Sequence, residues 1–293
     1  MSLLVLLYFN PIAGAGRSAR AAESYAATLR GAGHRVELRP SQAVEAVDVL
    51  AADLATPDAL LVLGGDGAMR AAAPAAVRAD TPVYHLPFGT ENLFARHFGM
   101  DRSETRLLDA LAAMRTTRVD VGRVGEEWFL LMASIGFDAE VIHDLAAHRT
   151  GGIRHRSYLG PLGRQLRMYR PSRITTRIDG TTIVDGRPGV LVVANCPEYA
   201  VRLDPAPNAS MTDRLLDVVF LPAATRRAVI GWMVRCRLGR GEKHVIRGRG
   251  TVVDVRLEPA ARFQLDGDRP VRKEPVGKVR ISLEESTLPV LLP

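Results

Sequence analysis

The chain has 293 residues, 47% hydrophobic and 24% charged, which is the composition of a globular protein with room for one large domain or two ordinary ones. Its 39 Lys and Arg against 32 Asp and Glu leave a net +7, which suits an anionic partner such as nucleic acid, anionic lipid or a phosphorylated small molecule. No stretch approaches the roughly 20 apolar residues that span a bilayer, so a membrane role is confined to the surface.

The first predicted element, at 3–9, is an apolar run. It is short and lacks a cationic lead, so it reads as a buried strand and not as a signal peptide. An Ala-rich helix follows over 17–31, stopped by Gly31 and Gly33. Then come a strand at 34–39, a helix at 43–54, a strand at 59–63, a helix at 68–78 and a strand at 82–86. Helices at 92–98 and 103–114 complete the series. This alternation predicts an α/β domain with a parallel sheet flanked by helices. On such sheets ligands bind at the carboxyl ends of the strands.

From about residue 119 the rhythm changes to alternating segments at 119–124, 128–134, 174–178, 190–194, 216–221, 252–257 and 263–265. Asp179-Gly180 and Asp185-Gly186 read as turns between them. The pattern predicts an antiparallel β-rich domain, a sandwich or barrel, with one or two helical excursions. The division is placed at 1–117 and 118–293, with the last residues free to return to the first domain. Cys196 and Cys236 have no metal or redox spacing and read as free thiols in a reducing cytoplasm.

One segment stands out by charge. Residues 147–173 carry seven arginines and two histidines with no Asp or Glu, interleaved with Ile153, Tyr158, Leu159, Leu162, Leu166, Met168 and Tyr169. It reads either as a solvated helix face or as a basic amphipathic lip that rests on anionic headgroups. An RNA-binding arm has no supporting fold motif.

Three glycine loops follow predicted strands of the first domain. They are Asn10-Pro11-Ile12-Ala13-Gly14-Ala15-Gly16-Arg17-Ser18, Gly64-Gly65-Asp66-Gly67, and Pro87-Phe88-Gly89-Thr90-Glu91-Asn92. Glycine lets the backbone approach a ligand closely, its N–H groups can cradle oxyanions, and a helix start just after the loop adds positive partial charge. Three such loops on one sheet edge suit a polyphosphate. Gly14, Gly16 and Ala19, with Glu37 further on, also match a dinucleotide fingerprint, which leaves the other two loops unexplained. No Walker A sequence occurs.

With these motifs in this order, the sequence resembles the diacylglycerol kinase catalytic-domain family, which includes bacterial lipid kinases and relatives of sphingosine and ceramide kinases. Val119-Asp120-Val121-Gly122, Ser134-Ile135-Gly136-Phe137-Asp138-Ala139, Asp213 with Leu216-Asp217-Val218, Asp266-Gly267-Asp268 and the closing Leu288 to Pro293 extend the resemblance over nearly the whole chain. It implies an ATP- and Mg²⁺-dependent lipid kinase with its active site in the cleft between the two domains. The site that the resemblance implies draws on Asn10, Pro11, Gly14, Gly16, Ser41, Gly64, Gly65, Asp66, Gly67, Ala68, Arg70, Ala71, Gly89, Thr90 and Asn92 for ATP. Asp66 and Asp120 would organise the active-site Mg²⁺, and Asp266 would be the general base. Asp213 and Asp268, with the backbone carbonyls of Ser210 and Leu215, would hold a structural metal. The implied partner is a lipid at an anionic membrane surface and not a nucleic acid, the place cytoplasmic or peripheral at the inner membrane face, and a homodimer is compatible.

The sequence also departs from the family pattern. Ala68 stands where a Thr is usual, and Gly89-Thr90-Glu91-Asn92-Leu93 replaces Gly-Thr-Gly-Asn-Asp. Tyr199 to Leu203 replaces a triple-glycine turn, Asp213-Arg214 replaces Asp-Gly, and Asp268 replaces a Glu. Two other readings stay open: a catalytically silent nucleotide- or lipid-binding member, and a NAD kinase-like enzyme, although the Asn-Glu dipeptide of those enzymes is missing.

Overall fold

The computed structural model describes residues 2–11, 16–41, 57–148, 155–240 and 245–293. The chain divides into two compact units, Met1–Val119 with Ser286–Pro293, and Asp120–Glu285. The expected helix at 43–54, Gly14, and residues 149–154 of the basic segment lie outside the described residues.

The first unit is built on a six-stranded sheet. Strands β1 (Leu4–Phe9), β2 (Arg35–Pro40), β3 (Ala59–Gly64) and β4 (Val83–Pro87) run parallel in the order β2-β1-β3-β4. Beyond them lie β16 (Leu288–Leu291), parallel to β4, and β5 (Thr116–Val119), antiparallel to β16. Every residue of β3 is buried, which is why it reads as an unbroken apolar run with no alternation. Helix α1 (Arg17–Gly31) buries Ala22, Tyr25, Ala26 and Leu29, the spacing of a single helical face, and packs on β1 and β2.

Helix α2 (Asp66–Ala79) starts two residues before the expected 68. Gly65 takes the cap position in extended conformation, and Asp66 sits in the first turn, where a negative charge complements the helix dipole. Asp66 and Gly67 are therefore helical and not part of a loop. Short α3 (Leu93–His97) and α4 (Glu104–Ala113) follow, the latter capped by Ser103, whose Oγ accepts the Arg106 N–H at 3.3 Å.

The second unit is antiparallel. It contains β6 (Gly122–Val124), β7 (Glu127–Phe129), β8 (Met132–Ile135), β9 (Arg173–Ile178), β10 (Thr181–Ala194), β11 (Leu216–Pro222), β12 (Ile246–Gly250), β13 (Val252–Ala261), β14 (Phe263–Leu265) and β15 (Val276–Leu283). The main path runs β12-β11-β10-β9-β13-β15-β6-β7, and β8 pairs with both β10 and β14. Phe129, Ile174, Leu191, Phe220, Val253 and Leu265 belong to its buried core. Helices α5 (Phe137–Ala147), α6 (Leu159–Arg167) and α7 (Arg226–Arg237) interrupt the strands.

Three sequence expectations change here. Asp185-Gly186 is no turn: it falls at a register shift inside the long β10, whose first part pairs with β9 and whose last part pairs with β8 and β11. The expected strand at 119–124 is broken at Asp120, whose N–H donates to the Met211 carbonyl at 2.6 Å and not to a sheet neighbour. The expected strand at 128–134 is broken at Leu130 and Leu131, whose N–H groups both donate to the Asp266 carboxylate at 2.8 Å. Both breaks occur where a partner distant in sequence, the Met211 carbonyl or the Asp266 carboxylate, takes backbone N–H groups out of the ladder.

Candidate active site

In the first unit the parallel register gathers the loops. Asn10 follows β1, Ser41 follows β2, Gly64-Gly65 closes β3, and Pro87 to Asn92 follows β4, so all four segments leave the same edge of the sheet. The chain order reverses between β1 and β3, which is the switch point where α/β sheets open a ligand crevice. Asn10, Pro11, Gly16, Ser41, Gly65 to Ala68, Arg70, Ala71, Gly89, Thr90 and Asn92 are each half-buried, as residues lining such a crevice must be. Ser41 is tied to β1 by its N–H on the Phe9 carbonyl at 2.8 Å, and the Ser18 hydroxyl donates to the Asn10 carbonyl.

The second and third loops lock together. A Cβ on Gly89 would lie 2.5 Å from the Gly65 Cα, and one on Gly65 would lie 3.1 Å from the Gly89 Cα, so the two backbones touch where no side chain fits. The Phe88 and Gly89 N–H groups donate to the Gly64 carbonyl at 2.7 and 3.1 Å. Asn92, held at φ 50, accepts the Gly89 N–H with Oδ1 at 2.7 Å and donates from Nδ2 to the Gly89 carbonyl at 3.0 Å. Asp66 accepts the Leu93 and Phe94 N–H groups at 3.0 Å each, capping α3 from the first turn of α2. Buried His85 adds a bond to the Gly64 carbonyl at 3.0 Å; burial holds its pKa down at about 4, so Nε2–H donates from a neutral ring. Glu91, the acid unexpected beside phosphates, lies 3.9 Å from Arg96. Gly65 has no side chain with which to cap α2, so the first turn can serve an anion. This edge fits a polyphosphate.

In the second unit each expected acid already has a partner. Asp120 is 1% exposed, its Oδ2 accepts the Arg214 N–H at 2.7 Å, and its Oδ1 meets the Arg214 guanidinium at 3.2 Å. Arg214 adopts φ 61, a left-handed conformation that suits the glycine of the family pattern. The Asp266 carboxylate accepts three backbone N–H groups, from Leu130 at 2.8 Å, Leu131 at 2.8 Å and Met132 at 3.0 Å. Asn195 links the two acids: its Nδ2 donates to the Asp120 and Leu130 carbonyls, both at 2.8 Å.

Of the acids expected to hold a structural metal, Asp213 already has a cation beside it. The Asp213 carboxylate is neutralised by Arg249, which also pairs with Asp217 at 3.2 Å, and its Oδ1 accepts the Leu215 N–H at 3.1 Å. The Ser210 hydroxyl is engaged with Thr212, and Asp268 closes a backbone bridge with Leu265. Among the described residues no group of three or more His, Cys, Asp or Glu is positioned for a metal ion. An arginine stands where a cation was expected.

A side-chain chain runs on from Asp266-Gly267. The Gly267 N–H donates to Gln264 Oε1 at 2.6 Å, Gln264 Nε2 donates to Ser134 Oγ at 2.6 Å, and the Ser134 and Tyr199 hydroxyls both donate to Asp138, the latter at 2.5 Å. Burial and the neighbouring Asp138 charge push the Tyr199 pKa well up, so it stays a donor. The motif at 134–139 pointed toward Ser134 and Asp138. Asn195, Arg214, Gln264 and Arg249 were missed as site residues because single polar residues in or beside strands carry no spacing signal. Nor does the cavity of about 340 Å³ beside α5 and α6 suit an acyl chain, since His143, Asp144, Arg164, Arg262 and Arg269 line it.

A parallel sheet with glycine loops along one edge, joined to an antiparallel unit holding acids in backbone nests, defines a phosphotransferase-type α/β plus β-rich protein. Residues 4–124 match the family model described as diacylglycerol kinase catalytic domain, and residues 132–287 match the YegS C-terminal NAD kinase beta sandwich-like domain. A diacylglycerol kinase of Mycobacterium tuberculosis is 31% identical over 75% of this chain and 74% of its own length. A Pseudomonas fluorescens protein described as "Probable lipid kinase YegS-like" is 28% identical over 71% and 70%. The solved structure of a diacylglycerol kinase from Bacillus anthracis superposes with a TM-score of 0.70 over 99% of this chain and 96% of that one, at 15% identity, a likeness of fold. The chain belongs to the family of diacylglycerol kinases and YegS-like lipid kinases, and it is a kinase. Among the described residues no helix is long and apolar enough to cross a membrane.

Proposed function

We propose that the chain transfers the γ-phosphoryl group of ATP to the hydroxyl of a diacylglycerol-like or sphingoid lipid at an anionic membrane surface. The observation that carries this reading is the convergence of four strand-end loops on one sheet edge, with Gly65 and Gly89 in backbone contact. Backbone N–H groups of the loops and of the first turn of α2 bind the phosphates. Asp66 and Asn92 act by holding that backbone rigid, so its dipoles need no rearrangement as charge shifts in the transition state. Mg²⁺, when bound with the nucleotide, supplies countercharge to the transferring phosphoryl oxygens.

Asp266 serves the acceptor. A carboxylate that already accepts three N–H bonds orients the lipid hydroxyl and takes its proton late, which suits a loose phosphoryl-transfer transition state. Asp120, neutralised by Arg214, keeps the neighbouring backbone in place through Asn195. Purified protein incubated with γ-labelled ATP, Mg²⁺ and a total lipid extract should yield labelled lipid, whose identity names the acceptor. Nucleotide binding without any labelled lipid would refute the reading.

A further inference from the structure

Helix α7 inverts the usual polarity of a surface helix. Val229 and Trp232 are buried, and Trp232 Nε1 donates to the Pro222 carbonyl at 3.0 Å, which fixes the inward face. On the outward side Ile230, Val234 and Leu238 recur every fourth residue and are 45%, 52% and 61% exposed, so they form one stripe. The turn at Ala200–Arg202 packs against α7 and adds Val201, 55% exposed and held at φ 55, a strained conformation for a β-branched residue. Ordinary surface helices turn polar residues to water; an outward apolar stripe marks an interaction surface.

The charge around the stripe says what covers it. Arg226, Arg227, Arg235, Arg237 and Arg240 are all exposed, and no Asp or Glu occurs between Val218 and Gly241. Arg235 lies 5.6 Å over the Trp232 ring, and none of the five forms an ion pair among the described residues. On the helix, Arg226 and Arg237 flank one side of the stripe and Arg235 the other. A second copy of the chain would bring arginine against arginine, and a nucleic acid would leave the apolar stripe uncovered. A bilayer with anionic headgroups satisfies both parts.

We propose that the outer face of α7 docks on an anionic lipid bilayer. Ile230, Val234 and Leu238 insert among the acyl chains, while the five arginines meet lipid phosphates, their stems lying along the apolar boundary. The expected docking segment at 147–173 offers less: Leu159 and Met168 are exposed, but Arg164 is committed to Asp144. The inference deepens the proposed function and rests on it only in placing the acceptor in a bilayer.

Co-sedimentation of the full chain with vesicles of phosphatidylcholine plus phosphatidylglycerol, against phosphatidylcholine alone, tests it without nucleotide. Wild-type protein should bind the anionic vesicles and release with added salt. Ile230→Gln with Val234→Gln and Leu238→Gln should lower binding about tenfold or more. Arg227→Gln with Arg235→Gln and Arg237→Gln should lower it at least as far and flatten the salt dependence. All six positions are exposed, so both variants should keep the wild-type unfolding midpoint. Equal binding by variants and wild type overturns the proposal, as does wild-type binding that ignores lipid charge. A stripe variant that changes the oligomeric mass in solution overturns it in favour of a second copy. Activity on a short-chain acceptor dispersed in detergent should be unchanged in the stripe variant. Absence of that activity in wild-type protein that still binds vesicles would sink the proposed function and leave the docking surface standing.

Discussion

The two units solve the same electrostatic problem in different ways. The first presents backbone: its acid and amide side chains, Asp66 and Asn92, are spent on holding N–H groups and carbonyls in place. The second presents carboxylates, and each is compensated before any ligand arrives, Asp120 by Arg214, Asp213 by Arg249 and Asp266 by three amides. A backbone edge with few side chains of its own can accept a highly charged guest. A set of buried acids without partners would instead cost several kcal/mol each in desolvation. One departure from the family pattern, Arg214 in place of glycine, supplies such an internal counterion.

The largest loss of function is expected at Asp266. Asp266→Asn keeps the shape but offers one acceptor oxygen to three N–H donors, so turnover should fall about 100- to 10,000-fold while nucleotide binding by the first unit persists. Steady-state kinetics with labelled ATP, alongside nucleotide titration, checks both halves. Wild-type turnover in the variant would remove Asp266 from the reaction. Next comes Gly89→Ala, whose methyl would sit 2.5 Å from the Gly65 Cα and 2.8 Å from Asn92 Oδ1. It should cost about 2–3 kcal/mol in urea unfolding and weaken nucleotide binding, with Gly65→Ala milder. Equal effects of the two changes would mean that the loops do not abut as described.

In the second unit Arg214→Gly relieves a left-handed residue, worth about 1 kcal/mol, but strips a buried carboxylate of its cation, worth about 3 kcal/mol. A net loss of about 2 kcal/mol is expected in urea unfolding. A stabilised variant would show that Asp120 never needed the arginine. Arg249→Gln, whose parent side chain is 45% exposed, should cost only about 1 kcal/mol, part of it restored by adding Asp213→Asn. A chelator should leave the unfolding midpoint unchanged. A midpoint that drops on chelation would mean that a cation, and not Arg249, holds this loop.

Most of the first unit was legible in sequence because parallel buried strands write themselves as apolar runs, and Gly64-Gly65 and Gly89 mark where the chain must come close to itself. The start of α2 was not, because Asp66-Gly67 looks like a turn until Gly65 is seen to cap it. In the second unit β9, β11 and β14 were legible from alternation. β12 and β15 were not: Arg247, Gly248, Arg249 and Gly250, and likewise Gly277 and Lys278, dilute the alternation. The strand breaks at Asp120 and Leu130–Leu131 depend on partners distant in sequence, Met211 and Asp266, which no local pattern contains. Family resemblance pointed to Asp120, Asp213 and Asp266 as site residues. What neutralises them was invisible, since Arg214 and Arg249 are ordinary arginines until folded.

An effect as small as that at Arg249 is expected at Asp144, which also meets His148 Nδ1 at 2.8 Å. Asp144 on α5 accepts both guanidinium arms of Arg164 on α6, at 2.8 and 3.0 Å, and also Gln165 at 3.1 Å. The Arg164 guanidinium, against the opposing cost of burial, brings the Asp144 pKa from 3.8 down to about 2. A depressed carboxylate pKa contributes stability that is complete above the unfolded value and disappears as pH falls through the folded one. The loss should therefore lie between about pH 4 and pH 2 and amount to about 1 kcal/mol, reduced because Arg164 is 45% exposed. Arg164→Gln should lower stability by that amount at neutral pH and by nothing near pH 2. If the two proteins differ equally at both ends, the arginine acts through packing, and charge compensation of buried acids does not extend to this part of the second unit.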